Sequence, residues 1–354
     1  MQAVPKIRNV SKRHCGSLQE SLYTIMQLYI TTFGSFLHIK DGMFQVKYTE
    51  DDQTVKKKIP PKKVTTIVLD RGTSLTYEAV KTALTHNIDI VFAEGDGAPI
   101  GRIWHSKLGS TTKIRKRQLE ASMNQESIPW VKKWVTDKVN NQIDFIKDLK
   151  KHRKASEEEI NDVLEKMNAV IEKIDRLEGD TMADIDGSIR GYEGTAGRYY
   201  FGLLSSLLSK EYQFKGRSYR PAEDPFNAFL NYGYGILYSR IEKCIMIAGL
   251  EPDVGFLHRD DYNQTSFVFD FIEPYRPFVD LTVYRLFSGK KVNKDHYREI
   301  TNGIGLTKDG KKMIVQSFIQ RFDTDKIRYR GRNQTRMNAI QQDAHTFANK
   351  LIEN

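Results

Sequence analysis

The sequence predicts an α+β chain built in two parts, a small N-terminal β-rich domain followed by a larger all-α domain. Three observations carry this reading. Short runs of β-formers, separated by Gly, Asp-Gly and Pro signals, fill the first third up to about Trp104. From Ser106 onward long amphipathic segments replace them. A length of 354 residues, with 39% apolar and 11% aromatic content, is enough for two cores. The boundaries fall at 1–22 for an N-terminal extension, 23–104 for the β-rich domain and 105–354 for the helical one.

Taken in order, LYITTFGSFLHIK, FQVKYT, TVKKKIP and VTTIVLD read as strands, with Gly34 and Asp41-Gly42 suited to tight turns. Lys56, Lys57 and Lys58 fall on an edge-like strand, where lysines discourage further pairing. SLTYEAVKTALTHN reads as a helix with Leu75, Val80, Ala83 and Leu84 inward, and IDIVFA returns to strand. Gly95, Gly97 and Gly101 lack dinucleotide-binding spacing and read as a hairpin turn. Ser127–Lys150 places Ile128, Trp130, Val131, Trp134, Val135, Val139, Ile143 and Ile146 at helical intervals. Ser156 to Glu159 has the form of a capping box, Ser156 bonding the Glu159 amide and the Glu159 side chain reaching back. Further helices are predicted at Ala183–Ser209, Asn227–Gly249, Ser266–Phe287, Lys308–Phe322 and Gln334–Ile352.

Chemistry concentrates in GFLHRDDYNQTSFVFDFIEPYRP, Gly255–Pro277. If Ser266–Tyr275 is helical, Asp270 and Glu273 share one face while Phe267, Val268, Phe271 and Ile272 bury the other. Carboxylates beside so much aromatic surface need a positive partner. A divalent cation held by His258, Glu273 and Asp270 is one; a plain salt bridge to Arg276 is another. The best further ligand is Glu193 in GYEGTAGRYYFGLL, where Gly194 and Gly197 thin one side of a helix and suggest close packing. Pro274 and Pro277 deprive the Asp270 and Glu273 carbonyls of helical partners, so the helix should bend and turn Arg276 toward the site.

Net charge +10 points to an anionic partner, nucleic acid first. Basic clusters stand at Lys113–Arg117, Lys132–Lys133, Lys215–Arg220 and Arg328–Arg336, the last being either a phosphate-contacting stretch or a solvated connector. Two cysteines, Cys15 and Cys244, give neither a disulfide framework nor a cysteine zinc site. No stretch is apolar over the length needed to span a membrane, and a basic start without an apolar core is no signal peptide, so the cytoplasm is the expected location. The phosphate loop of NTPases and the serine-hydrolase elbow are both missing.

These segments resemble the CRISPR-associated spacer integrases, the Cas-one family of metal-dependent DNA enzymes. The similarity rests on E-G-x-x-A/G-R-x-Y-F at Glu193–Phe201, G-F-L-H at Gly255–His258, D-x-x-E-P-x-R-P at Asp270–Pro277, and R-P-x-x-D-P-x-N-A-x-L across Arg217–Tyr238. Leu28–Val46 and Ile88–Trp104 resemble the family's opening strands and the end of its first domain. The resemblance implies that the helical part is a catalytic domain with Glu193, His258 and Glu273 as metal ligands and Asp270 close by, all four catalytic. It implies Mg²⁺ or Mn²⁺, a donor set with oxygen in excess being suited to either. It also implies an antiviral adaptation role in which 3′-hydroxyl ends of short DNA fragments are joined into a repeat array, with DNA cleavage by the same site. The implied partners are DNA, a second copy in a homodimer, and the small Cas-two protein bridging two dimers; Arg198, Arg217, Arg220 and Arg276 are the candidate DNA contacts. Two alternatives stay open: a stand-alone metal-dependent nuclease on branched DNA, and a non-catalytic DNA-binding scaffold.

Overall fold

A computed structural model describes residues 26–50, 52–95, 97–104, 111–219, 221–258 and 265–353. The extension 1–22, Cys15 and Arg220 therefore lie outside the described residues. The chain divides into two units, Met1–Lys107 and Leu108–Asn354. The first is β-rich and the second mostly helical.

The first unit runs β1 (Met26–Ile30), β2 (Phe36–Lys40), β3 (Met43–Glu50), β4 (Gln53–Ile59), β5 (Val64–Asp70), β6 (Ser74–Leu75), α1 (Tyr77–Thr85), β7 (Asp89–Ala93) and β8 (Pro99–Ile103). Two four-stranded sheets result, ordered β1-β5-β7-β8 and β4-β3-β2-β6. Gly34, at φ +77°, breaks the first apolar run so that β1 and β2 enter different sheets. Asp41 and Gly42 take φ +53° and +69° between Lys40 and Met43, which pair directly, so a two-residue turn joins β2 to β3. β4 with its three lysines is an edge strand. Leu28, Ile30, Leu37, Phe44, Val46, Ile67, Leu69 and Ile90 form the core. The Thr76 hydroxyl caps α1 by accepting from the Ala79 amide at 3.2 Å.

The second unit contains α2 (Thr112–Ser122), α3 (Ser127–Lys150), α4 (Glu157–Asp175), α5 (Met182–Ser206), α6 (Pro225–Ile247), α7 (Ser266–Phe271) and α8 (Arg276–Ser288). It continues through β9 (Tyr297–Ile300), β10 (Gly303–Leu306), α9 (Lys308–Ile319), β11 (Lys326–Tyr329), β12 (Arg332–Thr335) and α10 (Arg336–Glu353). The strands make two antiparallel hairpins that a purely helical reading did not include. Arg330 and Gly331, both at positive φ, turn one of them, so RYRGRNQTR is a hairpin and α10 starts only at Arg336. α6 starts ahead of Asn227 because Asp224 accepts from the Asn227 amide at 2.8 Å and Pro225 fits the first turn. It is apolar on nearly every side and buried accordingly.

Two local expectations are corrected. Ser156 makes no side-chain cap for α4; Glu159 instead accepts from Ser206 Oγ at 2.7 Å, tying α4 to the end of α5. Gly194 and Gly197 do not serve close packing, since nothing among the described residues lies within 4 Å of where their Cβ would be. A helical glycine that does is Gly233 on α6, whose Cβ would meet Val279 of α8 at 2.7 Å. Among the described residues no helix is long and apolar enough to cross a membrane.

Candidate active site

The predicted helix Ser266–Phe287 is interrupted. α7 ends at Phe271, Glu273–Tyr275 form a single 3₁₀ turn, and α8 begins at Arg276. Proline explains the break, because Pro274 has no amide to continue the ladder. The Pro274 carbonyl is taken instead by Asn141 Nδ2 of α3 at 2.7 Å. Trp134, two turns earlier on α3, packs edge-on against Phe256, Phe267 and Phe271. α3 therefore fixes both the 3₁₀ turn and the apolar side of α7, whose Phe267, Val268, Phe271 and Ile272 side chains are buried as read.

Asp270 turns the other way and organises the His258 segment. One oxygen, Oδ2, accepts from the amides of Phe256 at 2.6 Å and Leu257 at 3.0 Å. The other, Oδ1, accepts from the His258 amide at 3.1 Å and from His258 Nδ1 at 2.6 Å. A carboxylate that already accepts amide hydrogens accepts the Nδ1–H as well, which leaves Nε2 as the acceptor of the neutral ring. Arg190 of α5 donates to the Leu257 carbonyl at 2.5 Å and draws the same segment toward α5. Glu193 stands one helical turn further along α5.

Glu193 and Glu273 meet at a cation. Lys138 Nζ of α3 lies 2.5 Å from Glu193 Oε1 and 2.5 Å from Glu273 Oε2. The Glu273 side chain is 4% exposed and Lys138 12%. On its far side Glu273 Oε1 faces Arg276 Nε at 3.2 Å. Burial pushes Lys138 down, but Glu273 and then Glu193 outweigh it and hold the ammonium above the ordinary lysine value. Burial raises Glu193, yet Lys138, with smaller contributions from Arg276 and His258, leaves it below the usual carboxylate value.

The structure thus brings Glu193 and Glu273 together, and pairs Asp270 with His258. Among the described residues no three His, Cys, Asp or Glu side chains are close enough to ligate one ion. Lys138 occupies the point where the two carboxylates converge. The donor chemistry nonetheless fits a hard divalent cation: two carboxylates already gathered around positive charge, and an imidazole with its Nδ1 committed and its Nε2 available.

The arginines divide. Arg276 is held between Glu273 and the Tyr238 hydroxyl, with its plane over the Tyr234 and Tyr238 rings, which is the salt-bridge arrangement. Arg217 bonds Asn227 and Asn231 and lies over Phe201 and Tyr234, fastening the preceding loop to α6. Arg198 is exposed and donates to Thr195 Oγ1 at 3.0 Å. Two of the other basic clusters also hold structure: Lys132 donates to carbonyls of Asp175, at the end of α4, and Leu177, just past it, and Arg117 to that of Leu351 on α10.

Lys138, Arg190 and Asn141 escaped the sequence reading. Lys138 had a legible signal, since it falls on the inward stripe of α3 between Trp134, Val135, Val139 and Gln142. A cation on a buried stripe calls for a buried anion.

Solved structures share the whole fold. A casposase bound to integration product superposes with a TM-score of 0.77 at 23% identity, covering 93% of this chain and 91% of that one. A chain of a Cas6-RT-Cas1–Cas2 complex gives 0.75 at 21% identity, covering 96% of this chain and 36% of that one. The family description CRISPR associated protein Cas1 matches residues 28–320. A CRISPR-associated endonuclease Cas1 of Archaeoglobus fulgidus is 30% identical over 319 residues, 87% of this chain and 91% of its own length. The chain belongs to the Cas1 family.

Proposed function

We propose that this chain is a metal-dependent DNA integrase of CRISPR adaptation. It joins 3′-hydroxyl ends of short DNA fragments into a repeat array by transesterification, and cleaves DNA when water replaces the hydroxyl. The observation that carries this is the convergence of Glu193 and Glu273 on one buried positive charge beside a His258 braced by Asp270. Support comes from relatives named as endonucleases and from the fold shared with a casposase bound to integration product.

Glu193, Glu273 and His258 Nε2 would hold Mg²⁺ or Mn²⁺. Such an ion would polarise a phosphoryl oxygen and lower the pKa of the attacking hydroxyl. The chain supplies the rest. Asp270 keeps His258 in one tautomer and one orientation. Arg276 balances Glu273, and Asn141 fixes the turn that carries it. Exchange of one phosphodiester for another needs no nucleotide hydrolysis, consistent with a sequence that has no phosphate loop. The net charge of +10 suits a DNA backbone, and binding should weaken steeply with salt. A homodimer bridged to a second by the small Cas2 partner completes the reading, supported by the fold shared with a Cas1–Cas2 assembly.

The test incubates purified protein with a 3′-hydroxyl fragment, a repeat-containing plasmid and Mn²⁺, with and without the partner. Joined product should form and should vanish in Glu193→Ala, while that variant still shifts duplex DNA at low salt. Undiminished joining by Glu193→Ala, or none by the complete wild-type system, would overturn the proposal.

A further inference from the structure

Among the described residues Lys138 bridges the two candidate carboxylate ligands, and the proposed mechanism gives it no role. Its ammonium is 2.5 Å from each carboxylate, so it and an ion ligated by both cannot share that seat. The charge balance points the same way. Glu193 and Glu273 are neutralised by Lys138 and Arg276, and the group is buried. Adding a divalent ion with both cations in place would leave two uncompensated positive charges where screening is weak. Arg276 is locked by Glu273, Tyr238 and two aromatic faces and has nowhere to go. Lys138 differs, because a flexible four-carbon stem carries its charge. Its helix stays fixed, anchored by buried Val135 and Val139 and by Asn141 on Pro274. An ammonium displaced from the carboxylates therefore remains within a side chain's length of the site.

We infer that Lys138 is a resident counter-ion of the catalytic carboxylates, displaced by the incoming divalent ion and then free to hold a phosphate oxygen of the DNA. The inference rests on the metal reading above. In the absence of DNA, Lys138 competes with the metal and keeps its affinity low. When DNA is present, the phosphate receives the displaced ammonium, so metal and DNA bind with positive coupling. A lysine in this position acts as a guard that releases the metal seat when substrate arrives.

The experiment titrates Mn²⁺ calorimetrically into the full chain, with and without a duplex fragment. Wild type should bind Mn²⁺ weakly alone and more tightly with DNA. Lys138→Met, which keeps the stem and removes the charge, should bind Mn²⁺ about tenfold more tightly without DNA, and DNA should add little. Lys138→Arg keeps the charge and should likewise bind Mn²⁺ weakly without DNA. A second measurement needs no variant: amine labelling of wild type, read by mass spectrometry, should find Lys138 protected without metal and reactive at saturating Mn²⁺. Unchanged or weaker Mn²⁺ binding by Lys138→Met, or continued protection of Lys138 at saturating Mn²⁺, would overturn the inference. If wild type binds Mn²⁺ and Glu193→Gln does not while Lys138→Met matches wild type, the metal reading stands and this inference alone falls. Absence of Mn²⁺ binding in every form, with and without DNA, would remove both.

Discussion

Replacing Asp270 by alanine deletes the acceptor of four hydrogen bonds at once, from the amides of Phe256, Leu257 and His258 and from His258 Nδ1. The carboxylate is 2% exposed, so water cannot take its place without opening the turn. A buried N–H left unpaired costs about 1–3 kcal/mol. Three in one segment give roughly 3–6 kcal/mol after partial relaxation, a large share of the roughly 5–15 kcal/mol that holds a domain folded. Asp270→Asn separates structure from chemistry. With its carbonyl oxygen serving Phe256 and Leu257, its NH₂ group faces the His258 amide and Nδ1. The imidazole must then accept at Nδ1 and carry its proton on Nε2, where a metal would bind. The asparagine variant should lose only about 1–3 kcal/mol of stability but about 10–100-fold in Mn²⁺ affinity. Urea denaturation and calorimetric titration of the two variants measure both quantities. Wild-type Mn²⁺ affinity in a folded Asp270→Asn protein would refute the claim that Asp270 sets the His258 tautomer.

Asp280 is buried between aromatic hydroxyls and accepts from Tyr234; burial pushes its carboxyl from 3.8 up to about 6 against the pull of that bond and of Arg217. Between those two values the folded chain holds a proton that the unfolded chain has lost, so stability falls as pH rises from about 4 to about 6. The loss is at most roughly 3 kcal/mol, and Asp280→Asn should flatten this part of the curve. Equal pH slopes in urea midpoints for variant and wild type would contradict it. Two glycine variants should diverge. Gly194→Ala, in open space on α5, should raise stability by about 1 kcal/mol. Gly255→Ala would bring a Cβ to 2.6 Å from the His258 carbonyl and the Ser266 side chain and should lower both Tm and joining activity. Melting curves that rank them in the opposite order would refute the packing argument.

Local signals carried much of the architecture. The α3 stripe, the Asp41-Gly42 turn and the lysine edge of β4 are each stated within a few consecutive residues, and the structure places them as read. What was not legible depends on partners distant in sequence. Glu159 has the spacing of a capping box, but Ser206 is the better-placed donor once α4 and α5 lie together. The glycines of α5 have the same local chemistry as Gly233, and only packing against α8 distinguishes a close contact from an open face. At the site, Glu193, Asp270, His258 and Glu273 stood out by residue type and setting. That Asp270 serves His258 while the two glutamates share Lys138 is a matter of which helix lies beside which, and no spacing within either segment encodes it.

On the ribosome the parts of this constellation appear at different times. α3, α4 and α5 pack on one another and are complete once Ser206 has emerged, so the Lys138–Glu193 pair can close within that three-helix group. Glu273 comes 80 residues after Glu193 (273 − 193), which at translation rates of about 5–20 residues per second is a wait on the order of 4–16 s. Throughout it Glu193 and Lys138, one carboxylate and one ammonium, can balance each other's charge. The order of the chain thus lets the first half of this ion cluster close as a neutral pair before the second carboxylate arrives.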